Sequence, residues 1–297
     1  MDREREGELF TVASAVLWGL FPILTILSFA SLDPLRSLGW STLFAGGFFA
    51  FLLTIRKGWN QLRRTQAWAD ILATTLWSTI YYFLVFWALQ TTSAGNESII
   101  ALSEVFFSFL FFNIWRKEHI SITHILGAVC TVVGAIIVLS PNVQVFNRGD
   151  MFVLLASAIA PFINFFQKRA RKNVSSEAIL FVRNTITGVT ALALGVIIGR
   201  QVFGPEVQSA LLVLGINGVI IFGLTKLFWL ESIHRISVTK ANALSCIAPF
   251  VTLLASWLLL GSAPTVWQLS AIVPMCLGVV LLGFRSPLPP PDISTAV

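Results

Sequence analysis

Apolar residues come in ten blocks along this chain, separated by short polar or charged segments. The blocks cover residues 9–29, 36–55, 68–89, 95–115, 122–140, 150–168, 178–199, 207–230, 240–260 and 266–284. Each is near the ~20 residues that a helix needs to cross bilayer hydrocarbon. A chain inside lipid must satisfy its own backbone hydrogen bonds, so the pattern predicts an all-α integral membrane protein with ten transmembrane helices. The longest charge-free run, Ala241 to Phe284, must fold back once, and Gly261-Ser262-Ala263-Pro264 supplies the turn. The first block has no small-residue cleavage site and leads straight into further spans, so it reads as a retained helix.

In the fourth block Glu97, Ala101, Glu104 and Ser108 follow i, i+4, i+7 and i+11, which places them on one face of a continuous helix. Ionisable groups at membrane depth face a bundle interior or a wet cavity. The positions 144 residues later are Ala241, Ser245, Ala248 and Thr252, a second small, polar stripe without the carboxylates. The same offset aligns Ser31 with Ser175, Ser93 with Ser237 and Gly134 with Gly278. The chain therefore divides into a charged N-terminal segment 1–8, a first five-helix repeat 9–140, a second repeat 150–284 and a proline-rich tail 285–297 that reads as disordered. Five helices per repeat turn the second copy upside down, which predicts two inverted repeats around a central cavity.

Charge fixes the orientation. Only 11% of the 297 residues are charged and 56% are hydrophobic, whereas a soluble domain carries about a quarter charged residues. Fifteen Lys and Arg residues lie on the side of the N-terminus, and three (Arg36, Arg148 and Arg200) on the other. That split predicts cytoplasmic N- and C-termini in the inner (plasma) membrane, and it makes the net charge of +6 a topology signal rather than a nucleic-acid footprint. Cys130, Cys246 and Cys276 sit in apolar blocks and show no metal-binding spacing. His119, His124 and His234 make no catalytic pair, and no phosphate-binding loop occurs, so no enzyme activity, metal or cofactor is expected. Small residues recur every four positions at Thr42, Gly46 and Ala50, at Gly127, Thr131 and Ala135, and at Ala191, Gly195 and Gly199. These ridges suit close helix packing, within one chain in preference to a dimer seam, so a monomer is expected over a dimer.

Trp18-Gly19, the junction Ala88-Leu89-Gln90-Thr91-Thr92-Ser93-Ala94-Gly95, and Ser237-Val238-Thr239-Lys240-Ala241-Asn242-Ala243-Leu244 followed by Pro249 resemble, in that order, motifs of the drug/metabolite transporter superfamily in its EamA-type branch. The chain is also similar to the YddG-type aromatic amino-acid exporters of that branch. It departs from the family at Glu104-Val105, where a proline is usual, and at Gly261-Ser262, where an acidic residue is common. The resemblance implies a ten-helix exporter of small metabolites.

Two carboxylates and two cations fall inside spans. Glu104 suits a substrate ammonium or a proton, or it is a buried carboxyl hydrogen-bonded between helices. Glu97 lies nearer the interface, as a gate or coupling group or simply solvated. Arg183 is placed to hold a substrate carboxylate, to pair with Glu104 or to snorkel, and Lys226 is a coupling group or a snorkelling one with Glu231 as its partner. Trp18, Ser78 and Tyr82 are expected on the cavity wall, with Asn164 near Pro161. Asn242, Ser245 and Pro249 belong to the polar stripe of the ninth helix, where Pro249 frees a carbonyl. All of these polar positions also suit interhelical hydrogen bonding. The expected activity is secondary transport of small amphipathic metabolites, amino acids above all, by alternating access and in the direction of export. The alternatives are a passive channel or facilitator, and an exporter of drug-like or other solutes.

Overall fold

The computed structural model describes residues 3–63, 65–116, 122–139, 147–236 and 238–283, and the regular structure among them is entirely helical. The tail 285–297, Glu118, His119 and Ser237 lie outside the described residues. We number the long helices in chain order. They are α1 (Arg3–Ser28), α2 (Pro34–Ile55), α3 (Trp68–Ala88), α4 (Ala94–Ala101 and Ser103–Arg116) and α5 (Ile122–Leu139). The second half holds α6 (Arg148–Ala170), α7 (Ser176–Ile197), α8 (Pro205–Arg235), α9 (Val238–Leu244, Ser245–Ile247 and Ala248–Leu260) and α10 (Val266–Gly283). Eight candidate spans among the described residues are long and apolar enough to cross a membrane. The helices α5 and α10 add the shorter apolar stretches Ile125–Leu139 and Val266–Leu282.

The polar residues between blocks become helix caps. Asp33 accepts from the amides of Leu35 and Arg36 ahead of Pro34, and Ser93, Asn147 and Ser175 cap α4, α6 and α7 in the same way. Gly261 ends α9 at φ 68°, a left-handed conformation open to glycine. Away from these ends the polarity of a soluble protein is reversed. Leu76, Ile136 and Leu258 are more than half exposed, while Ser37, Ser41, Thr42, Thr74 and Ser78 are fully buried. Hydroxyls tie the halves together: Thr79 to Thr187 at 2.8 Å, and Ser14 to the Thr225 carbonyl at 3.1 Å.

The most extensive helix contacts all cross between repeats: α2 with α7, α5 with α10, and α3 with α6, whose counterpart is α1 with α8. At the α5–α10 contact Gly134 lies against Met275, and Gly278 against Thr131. Shifting the first pair by 144 residues produces the second, so the offset is a two-fold relation in space. Gly46 packs on Thr185 and Gly127 on the Gly278 carbonyl, so these two ridges serve contacts within the chain.

One expectation is corrected. The fourth block is not a continuous helix, because α4 breaks at Leu102. Its equivalent by the offset is Cys246, the middle of the 3-10 turn that divides α9. The sequence Ala101-Leu102-Ser103 has no glycine or proline to announce the break. It is set by tertiary packing instead. Helix α1 is interrupted after Trp18, and α8 loosens to a π-helical stretch, Asn217–Thr225.

The glycine at position 278 has no room for a side chain: an added Cβ would meet the Thr131 amide at 2.6 Å and the Gly127 carbonyl at 2.7 Å. Gly278→Ala is expected to lose ~1–3 kcal/mol of stability. Gly47, with nothing within 4 Å of such a Cβ, provides the contrast, and Gly47→Ala is expected to be neutral or to gain up to ~1 kcal/mol. Thermal unfolding of both variants in one detergent tests this order, and equal melting temperatures would contradict it.

Candidate functional site

The interruptions in α1, α4 and α9 converge on a cavity walled by both repeats. Its volume is about 130 Å³, well above what one water needs, so it admits a small solute. Helix α1 contributes Ser14, Trp18 and Pro22, spaced by four, and α3 contributes Tyr81 and Tyr82. Helix α4 brings Glu97, Ala101 and Glu104, and α6 brings Asn164 and Gln167. The second repeat completes the wall with Arg183 from α7, Lys226 and Trp229 from α8, and Asn242, Ser245, Pro249 and Thr252 from α9.

Of the candidate binding and coupling residues, Trp18, Tyr82, Glu97, Glu104, Asn164, Arg183, Lys226, Asn242, Ser245 and Pro249 reach this wall and Ser78 does not. It is fully buried and its hydroxyl has no partner. Its neighbour Tyr81 turns inward beside Tyr82, the two rings meeting edge-on at 5.2 Å. Gln167 is a cavity residue that the sequence did not single out. Gln167 stands three residues after Asn164, on the same helical face, which was the available signal. Ser108, the last residue of the fourth-block stripe, is buried off the wall, one turn beyond Glu104 on the same helix.

The charged groups settle differently from several expectations. Glu97 is 2% exposed, not solvated at an interface, and its Oε1 has no hydrogen-bond partner. Glu104 accepts a 2.7 Å hydrogen bond from Asn164 Nδ2, whose amide oxygen accepts from Trp229 Nε1 at 3.1 Å. Arg183 neither snorkels nor pairs with Glu104: it is 2% exposed, makes no ion pair among the described residues, and its Cζ lies 5.8 Å from the Tyr82 ring centroid. Lys226 also stays inside, its Nζ 3.1 Å from the centroid of the Trp18 ring, a contact that offsets part of the loss of hydration. Glu231 is not its partner. That carboxylate is held by Arg171, Arg235 and Ser176 at the end of the bundle that carries the N-terminus.

At the opposite end, side-chain hydrogen bonds link the start of α4 to α6 and α10. Gln268 Nε2 donates to Asn96 Oδ1 at 2.8 Å, and Thr92 and Asn96 both donate to Asp150. The two buried stripes also differ. Thr252 donates to the Gly19 carbonyl at 2.7 Å, whereas its counterpart by the offset, Ser108, has an unpartnered hydroxyl.

No group of three or more His, Cys, Asp or Glu side chains suited to a metal occurs among the described residues. What the arrangement can do is bind: two carboxylates from the first repeat face two cations from the second, between aromatic walls.

A model of the EamA-like transporter family matches residues 5–140 and 147–284. The chain is 26% identical over 258 residues to "Uncharacterized transporter YojE" of Bacillus subtilis (strain 168), covering 84% of each chain. It is 19% identical over 278 residues to "Uncharacterized transporter YoaV" of the same organism, covering 92% of this chain and 95% of that one. A crystal structure superposes with a TM-score of 0.75 at 18% identity over 95% of this chain and 98% of that chain. At that identity the likeness is one of fold.

Replacing Asn164 by Leu leaves both the Glu104 carboxylate and the Trp229 indole without this partner. The expected loss is ~1–3 kcal/mol in thermal unfolding. Ser78→Ala removes a hydroxyl that bonds to nothing and is expected within about 0.5 kcal/mol of wild type. Equal melting temperatures for the two would show that the Glu104–Asn164–Trp229 chain contributes nothing to the fold.

Proposed function

Because the chain belongs to the EamA-like transporter family, we propose that this multi-pass membrane protein is a secondary transporter that moves small amphipathic solutes, foremost amino acids, by alternating access. The carrying observation is the cavity between the repeats, with Glu97 and Glu104 facing Arg183 and Lys226 between the rings of Trp18, Tyr81, Tyr82 and Trp229. A solute with one positive and one negative group and an apolar body finds a counterpart for each part there. The matched breaks in α4 and α9 support the alternation of access, since discontinuous helices in inverted repeats allow two packings around one site.

The direction we propose is export, with both termini cytoplasmic. The orientation rests on the fifteen-to-three division of Lys and Arg across the membrane. The direction follows the resemblance to exporters of this branch, and so does the preference for aromatic amino acids.

Counterflow in proteoliposomes tests the reading. Vesicles preloaded with each of the twenty amino acids in turn should accumulate the labelled counterpart several-fold over protein-free vesicles, with saturable kinetics. Glu104→Gln is expected to reduce this exchange at least about tenfold, because the variant removes one of two cavity carboxylates. No accumulation with any amino acid would refute the substrate class, and non-saturable flux would point to a channel.

A further inference from the structure

Arg183 is the largest fully buried side chain among the described residues. Two of its three nitrogens, Nε and Nη2, have no hydrogen-bond partner. These two lie on the same edge of the guanidinium, the one that presents two parallel N–H groups to a carboxylate. The residue lines the cavity, and no carboxylate among the described residues pairs with it. Glu97 lines the same cavity, and its buried Oε1 likewise lacks a partner. Buried polar groups are nearly always hydrogen-bonded; on this cavity Arg183, Glu97, Gln167 and Asn242 all hold buried atoms without a partner, and a ligand with a carboxylate and an ammonium would supply partners for the two charged ones.

We propose that Arg183 is the carboxylate dock of this cavity, taking a planar carboxylate two-pronged on its Nε/Nη2 edge, and that Glu97 is the opposing dock for an ammonium. The inference rests on the amino-acid reading above and sharpens it: the substrate is held by both poles, and esters and amides of the same body are rejected at Arg183. Glu104 is less suited to the ammonium role, because Asn164 already donates to its Oε1. Lys226 is less suited to the carboxylate role. Its ammonium rests on the face of Trp18, and it offers a point charge rather than a fork.

The test is equilibrium binding to the purified full-length protein, by titration calorimetry, of L-phenylalanine, L-phenylalaninamide, 3-phenylpropionate and phenethylamine. The wild type should bind phenylalanine at least about tenfold more tightly than its amide, since a site built to hydrogen-bond a group discriminates against its loss. In Arg183→Lys, which keeps the charge and loses the fork, that ratio should shrink to about twofold or less while phenethylamine binds as before, showing an intact cavity. In Glu97→Gln, phenylalanine should lose its advantage over 3-phenylpropionate. An unchanged acid-to-amide ratio in Arg183→Lys would overturn the dock. If 3-phenylpropionate binds in an Arg183-dependent manner and phenylalanine does not, the amino-acid reading fails and the dock stands. If the wild type binds phenethylamine but neither carboxylate, both fail.

Discussion

Hydrocarbon offers no hydrogen bonds, and that constraint shapes every part of this structure. A backbone surrounded by lipid tails keeps its N–H and C=O groups paired by staying helical. At two places inside the bundle where the chain leaves regular helix, another segment supplies a partner. The Gly19 carbonyl, freed where α1 is interrupted, accepts from Thr252 of α9. The Thr225 carbonyl, at the end of the π-helical stretch of α8, accepts from Ser14 of α1. The same constraint turns serine and threonine inward and leaves leucine and isoleucine on the outside.

Duplication explains how such a bundle closes. An inverted copy of five helices presents each surface to its own counterpart, so one set of small residues serves two walls. The reciprocal pairs Gly134–Met275 and Gly278–Thr131 show this at the α5–α10 seam. The cavity lining is where the copies have diverged. By the offset of 144, Glu97 and Glu104 correspond to Ala241 and Ala248, Arg183 to Gly39, and Lys226 to Tyr82. Each charge in the cavity exists in one copy alone, acids in the first and bases in the second. Symmetry supplies the scaffold, and its local loss supplies a cavity with two unlike poles.

The blocks of apolar residues made the span count and the repeat readable, because block length and register are properties of the chain itself. The offset first seen as Glu97, Ala101 and Glu104 against Ala241, Ser245 and Ala248 places five of those six residues on the wall, Ala241 alone standing off it. What was hidden depended on neighbours distant in sequence. Nothing in Ala101-Leu102-Ser103 marks a break. Glu97 sits near the end of its block, a place where a carboxylate is usually wet, and its burial comes from the helices packed around it. Lys226 and Glu231 are five residues apart, close enough to suggest a pair. The long reach of Arg171 and Arg235 takes Glu231 instead, and Trp18 takes Lys226.

Buried charges of opposite sign on one cavity would relieve each other by pairing, yet Arg183 and Glu97 remain apart. Each is carried by a helix whose position is set elsewhere. Helix α7 is held against α2 along closely packed small residues, where Gly188 meets the Gly39 carbonyl and Gly46 meets Thr185. Helix α4 is held at its start by the bonds of Ser93 and Asn96 to Gln268. Drawing the two side chains together would require one of these contacts to yield. Leaving them apart costs about 1–3 kcal/mol for each unsatisfied group, a sum that the rest of the packing must exceed for the bundle to stand. On the proposed reading, a small ligand with matching groups would relieve this cost, while the rigidity of the walls keeps the protein from relieving it alone.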